Sequence, residues 1–337
     1  MALLEVRDLH VVFKRRGRAP VAAVDGVSFD IEPGSMTGIV GESGCGKSVT
    51  SLAVMGLLPS RGVQVHGSVR LDGSELIGRG DEDMRGVRGR RIAMIFQDPM
   101  TSLNPVLTIG RQIGEAIRRH FGTDEDEARR RTAEILDAVG IPGARSRLGA
   151  YPHQFSGGMR QRVVIAMALA CEPSLIIADE PTTALDVTIQ AQILELIRGL
   201  VIERGTALIM ITHDLGVVAN MCDTVNVMYA GRFVESAERY ALFAAPRHPY
   251  TAGLLASVPR LDEPRGTRLM PIRGNPRDVI PWSAGCAFAP RCDNVIDRCT
   301  AAAPGLEEIE FGRTLRCFNP VPPPPEVPPP AAKRRRA

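Results

Sequence analysis

One eight-residue stretch limits what this chain can fold into more than any other feature. Gly41-Glu-Ser-Gly-Cys-Gly-Lys-Ser48 follows a short apolar run, Met36 to Val40, and leads into Val49 to Leu58, which has helical character and stops at Pro59. Strand, glycine loop and helix in that order bring backbone N–H groups and the positive end of a helix to one point. The spacing Gly41-x4-Gly46-Lys47-Ser48 matches the loop that cradles phosphates. In such a loop Lys47 meets the β- and γ-phosphates and the Ser48 hydroxyl binds Mg²⁺. Ser43, Gly44, Cys45 and Val49 lie in or beside the same turn, with Cys45 contributing its backbone rather than its thiol.

A phosphate loop needs a metal-side acid, and Leu175-Ile-Ile-Ala-Asp179-Glu180 provides one at the end of an apolar strand. Asp179 is placed to stand beside Mg²⁺. Glu180, one residue on, is read as the base that takes a proton from water attacking the γ-phosphate, in preference to a carboxylate capping the strand. Ile209-Met-Ile-Thr-His213-Asp214 repeats the pattern of a buried strand ending in polar groups, so His213 falls on the same sheet edge.

Strands are expected at Leu3 to Val12 and Val24 to Ile31, before Pro33-Gly34. Asp124 to Val139 and Met159 to Ala170 read as helices, followed by strand 175–178, helix 189–201 and strand 207–211. Alternating strands and helices predict a parallel sheet covered on both faces. After Pro259 the periodicity fades and cysteines gather, which places a boundary near Arg260. Between Pro320 and Pro330 eight of eleven residues are proline, a solvated segment with no core of its own.

Charge and composition remove several classes. The net charge is +3, and Lys333, Arg334, Arg335 and Arg336 alone exceed it, so the rest of the chain is slightly acidic and lacks the field of a nucleic-acid binder. Aromatics are 4%, too few for a base-stacking surface. The longest apolar run, Val163 to Cys171, falls well short of the roughly 18 residues of a membrane span. Glu5, Arg7 and Asp8 interrupt the first apolar stretch, which argues against a signal-peptide core and for a cytoplasmic protein.

Phe155-Ser-Gly-Gly-Met-Arg-Gln-Arg162, with Ser156 lying 23 residues before Asp179, resembles the signature motif of ATP-binding cassette (ABC) ATPases. Gln97 in Ile-Phe-Gln-Asp-Pro99 is similar to that family's Q-loop and Ala184-Leu185-Asp186 to its D-loop, and Phe13 stands where its adenine-stacking aromatic would be. The resemblance implies an α/β fold over residues 1–260: a RecA-like parallel sheet core, an antiparallel β subdomain and an α-helical signature subdomain over about 100–170. It also implies that Ser156, Gly157 and Gly158 complete the ATP site of a second subunit in a head-to-tail dimer. Asp186 would line the seam, and Gln97 would join Ser48 and Asp179 at Mg²⁺. Met159, in place of the usual glutamine, lacks the hydrogen bond that glutamine would make.

The Phe-Ser-Gly-Gly-Met form resembles one ATPase subunit of the oligopeptide and dipeptide importers. So do Arg247-His-Pro-Tyr-Thr-Ala-Gly-Leu-Leu255, Gly274-Asn-Pro276 and Gly285-Cys-Ala-Phe-Ala-Pro-Arg-Cys292. A small Cys-rich extension is therefore expected at 261–319 and a disordered Pro-rich basic tail at 320–337. Cys286, Cys292, Cys299 and Cys317 follow C-x5-C-x6-C-x17-C. Four thiolates suit a [4Fe–4S] cluster or tetrahedral zinc, but the spacing matches neither zinc-ribbon pairs nor the ferredoxin run, so the residues alone leave metal and free thiols both open. Members of the subfamily hold a [4Fe–4S] cluster here, and the resemblance favours that over Zn²⁺, as a clamp rather than a redox sensor.

The implied function is an ATPase subunit, peripheral on the cytoplasmic face of the inner membrane, that energises uptake of di- and oligopeptides. Its implied partners are two transmembrane permease subunits, a second, distinct ATPase subunit and, indirectly, an extracytoplasmic substrate-binding protein, with no nucleic acid. Rival readings are import of nickel or oligosaccharide, or a soluble ABC-type ATPase unconnected with transport.

Overall fold

A computed structural model describes residues 1–15, 17–183, 185–258, 271–276, 279–280 and 282–323. The basic end, Lys333 to Arg336, and the D-loop residue Ala184 lie outside them.

Two sheets organise the described chain. The first is four-stranded and antiparallel, in the order β2 (Arg18–Ile31), β1 (Leu4–Arg15), β4 (Val63–Leu71), β5 (Ser74–Glu75). Leu4, Val6, Leu9 and Val11 are buried between this sheet and the rest of the molecule, as a half-buried strand requires. The second sheet has eight strands. Its parallel core runs β9 (Thr224–Tyr229), β3 (Met36–Val40), β8 (Ala207–Thr212), β7 (Leu175–Asp179), β6 (Ile92–Ile95). Every residue of β3, β6, β7 and β8 is buried, which is why these segments read as unbroken apolar runs.

The antiparallel side of that sheet continues through β10 (Arg232–Glu238), β12 (Arg313–Leu315) and β11 (Glu307–Glu310). The last two come from beyond residue 260. The extension therefore adds strands to the ATPase sheet: Glu235 pairs with Leu315 and Ser236 with Thr314.

The helices are α1 (Lys47–Val54), α2 (Asp81–Val87), α3 (Pro99–Ser102), α4 (Ile109–Phe121), α5 (Glu125–Ala138), α6 (Ala144–Arg147), α7 (Gly157–Leu169), α8 (Val187–Arg204), α9 (Leu215–Met221), α10 (Arg239–Ala244), α11 (Pro249–Ala256) and α12 (Asp297–Ala301). Of these, α3 to α7 form a helical layer over 99–169. Asp124 caps α5 by accepting from the Glu127 amide at 2.8 Å, and α4 ends at Gly122 in the left-handed conformation. One apolar core holds this layer against β6, β7 and β8; a second lies between the four-stranded sheet, α1 and the other face of the parallel strands. No helix among the described residues is long and apolar enough to cross a membrane.

Candidate functional site

Because β3, β8, β7 and β6 are parallel neighbours, their C-terminal ends lie along one edge. That edge carries the loop at 41–48 after β3, Asp179 and Glu180 at the end of β7, His213 after β8, and Gln97 after β6. Ligands bind at such edges in open α/β sheets.

The loop is shaped by contacts that admit no side chain at two glycines. Gly46 has φ +113°, and a Cβ there would sit 2.5 Å from Ala23 O; at Gly41 it would lie 2.3 Å from Met228 O. Gly46 and Lys47 are buried, whereas Ser43, Gly44 and Ser48 are exposed and Val49 is half-buried. Lys47 Nζ donates to Gly41 O at 2.8 Å and to Glu42 O at 3.0 Å. Cys45 Sγ lies 3.9 Å from that ammonium, but burial outweighs it and pushes the thiol pKa up, so this cysteine is an inert packing residue.

Asp179 is buried, and burial raises its pKa, with the nearby Ser48 hydroxyl working in the opposite direction. Its Oδ1 has no hydrogen-bond partner among the described residues. An unpaired buried carboxylate oxygen beside a serine hydroxyl is a donor set that suits a hard cation such as Mg²⁺.

Glu180 is the centre of the second cluster. Its backbone takes φ +46°, a left-handed conformation that is strained for a non-glycine residue and is common at functional sites. One carboxylate oxygen lies 3.1 Å from His213 Nδ1. The other accepts from Gln97 Nε2 at 3.1 Å and from Thr183 Oγ1 at 3.0 Å. A carboxylate offers about four lone-pair directions, so with the proton on His Nδ1 three are occupied and one is left for a water. Gln97, Glu180 and His213 are thus brought together on this edge. Thr183 went unread, although its place three residues after Glu180 in the same turn was the available signal.

The signature residues stand elsewhere. Ser156 caps α7, accepting from the Met159 amide at 3.4 Å, and Ser156 and Gly157 are exposed. A Cβ on Gly158 would come within 2.9 Å of Ile189 Cγ2, so the glycine lets α7 approach α8, whose first turn Asp186 caps by accepting from the Ile189 amide at 3.0 Å. The chief neighbours of α7 are α3, α4, α5, α8 and β6, and those of α1 are β1, β2 and β7. Phe13 is half-buried on β1 against the second core.

The four cysteines of the expected thiolate site all lie within the described residues. Cys286 and Cys299 are buried, Cys292 and Cys317 half-buried, and none of the four is in a disulfide. No group of three or more His, Cys, Asp or Glu among the described residues is placed to hold a metal ion. Burial favours the neutral thiol, driving Cys292 up to about 11 and Cys317 up to about 12. Cys286 and Cys299 pack in the apolar core with Trp282, Ala287 and Phe288. The two cysteine segments do meet, through the Cys286 amide donating to Cys299 O at 2.8 Å.

Residues 24–183 match the ABC transporter family model, and residues 234–299 match the model described as oligopeptide/dipeptide transporter, C-terminal region. The chain is 53% identical over 317 residues to the dipeptide transport ATP-binding protein DppD of Bacillus subtilis, covering 94% of each. To the oligopeptide transport ATP-binding protein OppD of Escherichia coli it is 50% identical over 320 residues, 95% of this chain and 94% of that one. Among solved structures, a dimeric ABC transporter cassette, MJ0796, matches at TM-score 0.62 and 27% identity, over 70% of this chain and 98% of that one.

Proposed function

This chain belongs to the ABC transporter family, in its oligopeptide/dipeptide branch, and on that premise we propose that it is the ATP-hydrolysing subunit of an importer of di- and oligopeptides. The observation that carries the chemistry is the Glu180 carboxylate, oriented by Gln97, Thr183 and His213 on the sheet edge that bears the phosphate loop. Lys47 and the loop amides bind the phosphates, Phe13 stacks on adenine, and Ser48, Asp179 and the Gln97 carbonyl oxygen would hold Mg²⁺, which supplies charge neutralisation when bound. Glu180 accepts the proton of the attacking water, and His213 holds that carboxylate in line and steadies the γ-phosphate.

The exposed Ser156 and Gly157, on a helix that shares no chief neighbour with α1, support a composite site in which this signature faces the phosphate loop of a second, homologous ATPase subunit. ATP between the two would favour the closed dimer and hydrolysis the open one, and that differential affinity drives paired permease subunits between their two facing states. The reading places the subunit peripherally on the cytoplasmic face of the inner membrane, with residues 1–260 as the cassette. It also keeps a [4Fe–4S] cluster as a finer expectation. Support for the cluster is that neighbouring thiols help push Cys317 up, with Cys292, Cys286 and Cys299 all contributing, so the four share one neighbourhood. Iron and sulfide analysis of anaerobically purified protein tests this, and a metal-free chain with four titratable thiols would refute it.

Function is tested by co-purifying the chain with its membrane partners into proteoliposomes and measuring uptake of a labelled dipeptide delivered by its binding protein. ATP-dependent uptake that Lys47→Ala abolishes is expected. Transport of nickel or an oligosaccharide but not of peptide would overturn the cargo, and hydrolysis indifferent to loaded binding protein would overturn the coupling.

A further inference from the structure

The extension reaches the phosphate loop through one charged side chain. Arg291 ends the short turn Ala289–Arg291, and its side chain is only 1% exposed. Nη1 and Nη2 donate to Glu42 Oε2 and Oε1 at 2.7 and 2.9 Å, a two-pronged ion pair across 249 positions. The remaining guanidinium surface is engaged as well. Nε donates to Arg273 O at 3.0 Å, and the rings of Tyr229 and Phe288 lie 5.8 and 5.9 Å from its carbon.

Glu42 is the one acidic residue within Gly41–Ser48. Its carbonyl oxygen accepts from Lys47 Nζ at 3.0 Å, and its amide donates to Tyr250 Oη at 2.9 Å, so its backbone is held from both sides. Its carboxylate nonetheless belongs to a loop shaped for a polyanion. Like charges within a Debye length, in partly buried surroundings, repel by an amount that matters for affinity. Arg291 offsets that charge with a fork that matches a carboxylate, which a lysine cannot reproduce.

We propose that Arg291 is a positioning residue for nucleotide binding: by pairing with Glu42 it holds the start of the phosphate loop and cancels the loop's own negative charge. The C-terminal extension is in this sense part of the ATP site. The inference rests on reading 41–48 as the ATP phosphate loop. It needs no metal in the extension.

The test is the dissociation constant of a fluorescent ATP analogue, with KM and kcat for ATP, measured on the purified chain. Arg291→Met is expected to raise Kd and KM about tenfold at low salt and to change kcat less than about twofold, with the effect on binding shrinking at about 0.5 M salt. Adding Glu42→Gln to Arg291→Met should restore Kd to within about threefold of wild type, because the repelling charge is gone; a purely structural role for Arg291 would leave the double variant as weak as the single. Arg291→Lys, which keeps the charge but loses the fork, should lie between, at about threefold. Unchanged nucleotide binding in Arg291→Met, or no rescue in the double variant, overturns the inference while leaving the loop's role intact. Should Arg291→Met fail to fold, Arg291→Lys decides, and wild-type Kd and KM in that variant overturn it. Failure of the wild-type chain itself to bind the analogue would instead remove the reading of the loop, and this inference with it.

Discussion

The phosphate loop gathers its chemistry in eight consecutive residues, whereas the extension is held by side chains far apart in the chain: Arg291 to Glu42, Arg313 to Glu235, Trp282 to Ala230. The loop works through backbone geometry, so glycines and one lysine suffice to specify it. Among its described residues after α11 the extension has only short elements, α12, β11 and β12. It is anchored by buried ion pairs and hydrogen bonds, each of which stabilises only when its distant partner is in place. The difference teaches that damage to the first region should remove chemistry and spare the fold, while damage to the second should loosen the fold and reach the chemistry only through Glu42.

The largest expected effect tests the first half of that contrast. Glu180→Gln keeps hydrogen-bonding capacity but cannot take a proton, so steady-state hydrolysis should fall about a thousandfold while ATP binding and the thermal midpoint stay near wild type. Loss of folding instead would place Glu180 among the structural ion pairs. Next comes Glu235→Ala. Glu235 is fully buried, accepts from Arg313 at 3.0 Å and from the amides of Arg247 and His248 at 2.9 Å each, so its removal strands a buried guanidinium. A loss of about 3 kcal/mol in denaturant unfolding is expected, and stability unchanged by this variant would sink the idea that the extension depends on such pairs.

His248 sharpens the comparison by pH. It is 1% exposed, and its Nδ1 accepts from the Tyr250 amide at 3.0 Å, which requires the unprotonated nitrogen. Burial lowers its pKa from the ordinary 6.5 to about 3. A depressed folded-state value means that between those two limits the unfolded chain binds a proton the folded one does not. The stabilisation is therefore complete above pH 6.5 and is lost as pH falls toward 3, by about 2 kcal/mol at pH 5. Unfolding curves at pH 7 and pH 5 should show it, and His248→Asn should flatten that slope. The smallest effect belongs to the start of α8: Asp186→Ala deletes its cap and should cost about 1 kcal/mol, read as a shift in urea midpoint with unchanged m-value.

Legibility followed the same division. The Gly41–Ser48 loop, Asp179–Glu180 and His213 stand at the ends of apolar strands, and their order alone predicted that they share an edge. The alternation in β4 and the four-residue spacing of Ile109, Ile113 and Ile117 in α4 were present in the sequence, but neither carries a motif, and only pairing with β1 and packing under α5 give them a place. The cysteine cluster was legible only in part. The residues alone left metal and free thiols open and only the resemblance pointed to a metal, while it took the fold to show Cys286 and Cys299 buried against Trp282 and Phe288. Arg291 and Glu42 were individually unremarkable, since nothing in a sequence announces an ion pair between residues so far apart.

By itself the sequence determined the family and the phosphate loop and singled out Glu180 as the candidate base, because those depend on residues close together in the chain whose chemistry tolerates few substitutes. Tertiary structure alone decided that the extension joins the main sheet through β12, that Thr183 shares Glu180 with Gln97 and His213, and that Arg291 closes on the loop through Glu42. Those contacts exist only once strands and turns distant in the chain are packed. A charged side chain takes its role from the partner that desolvates with it, and linear order does not record that partner.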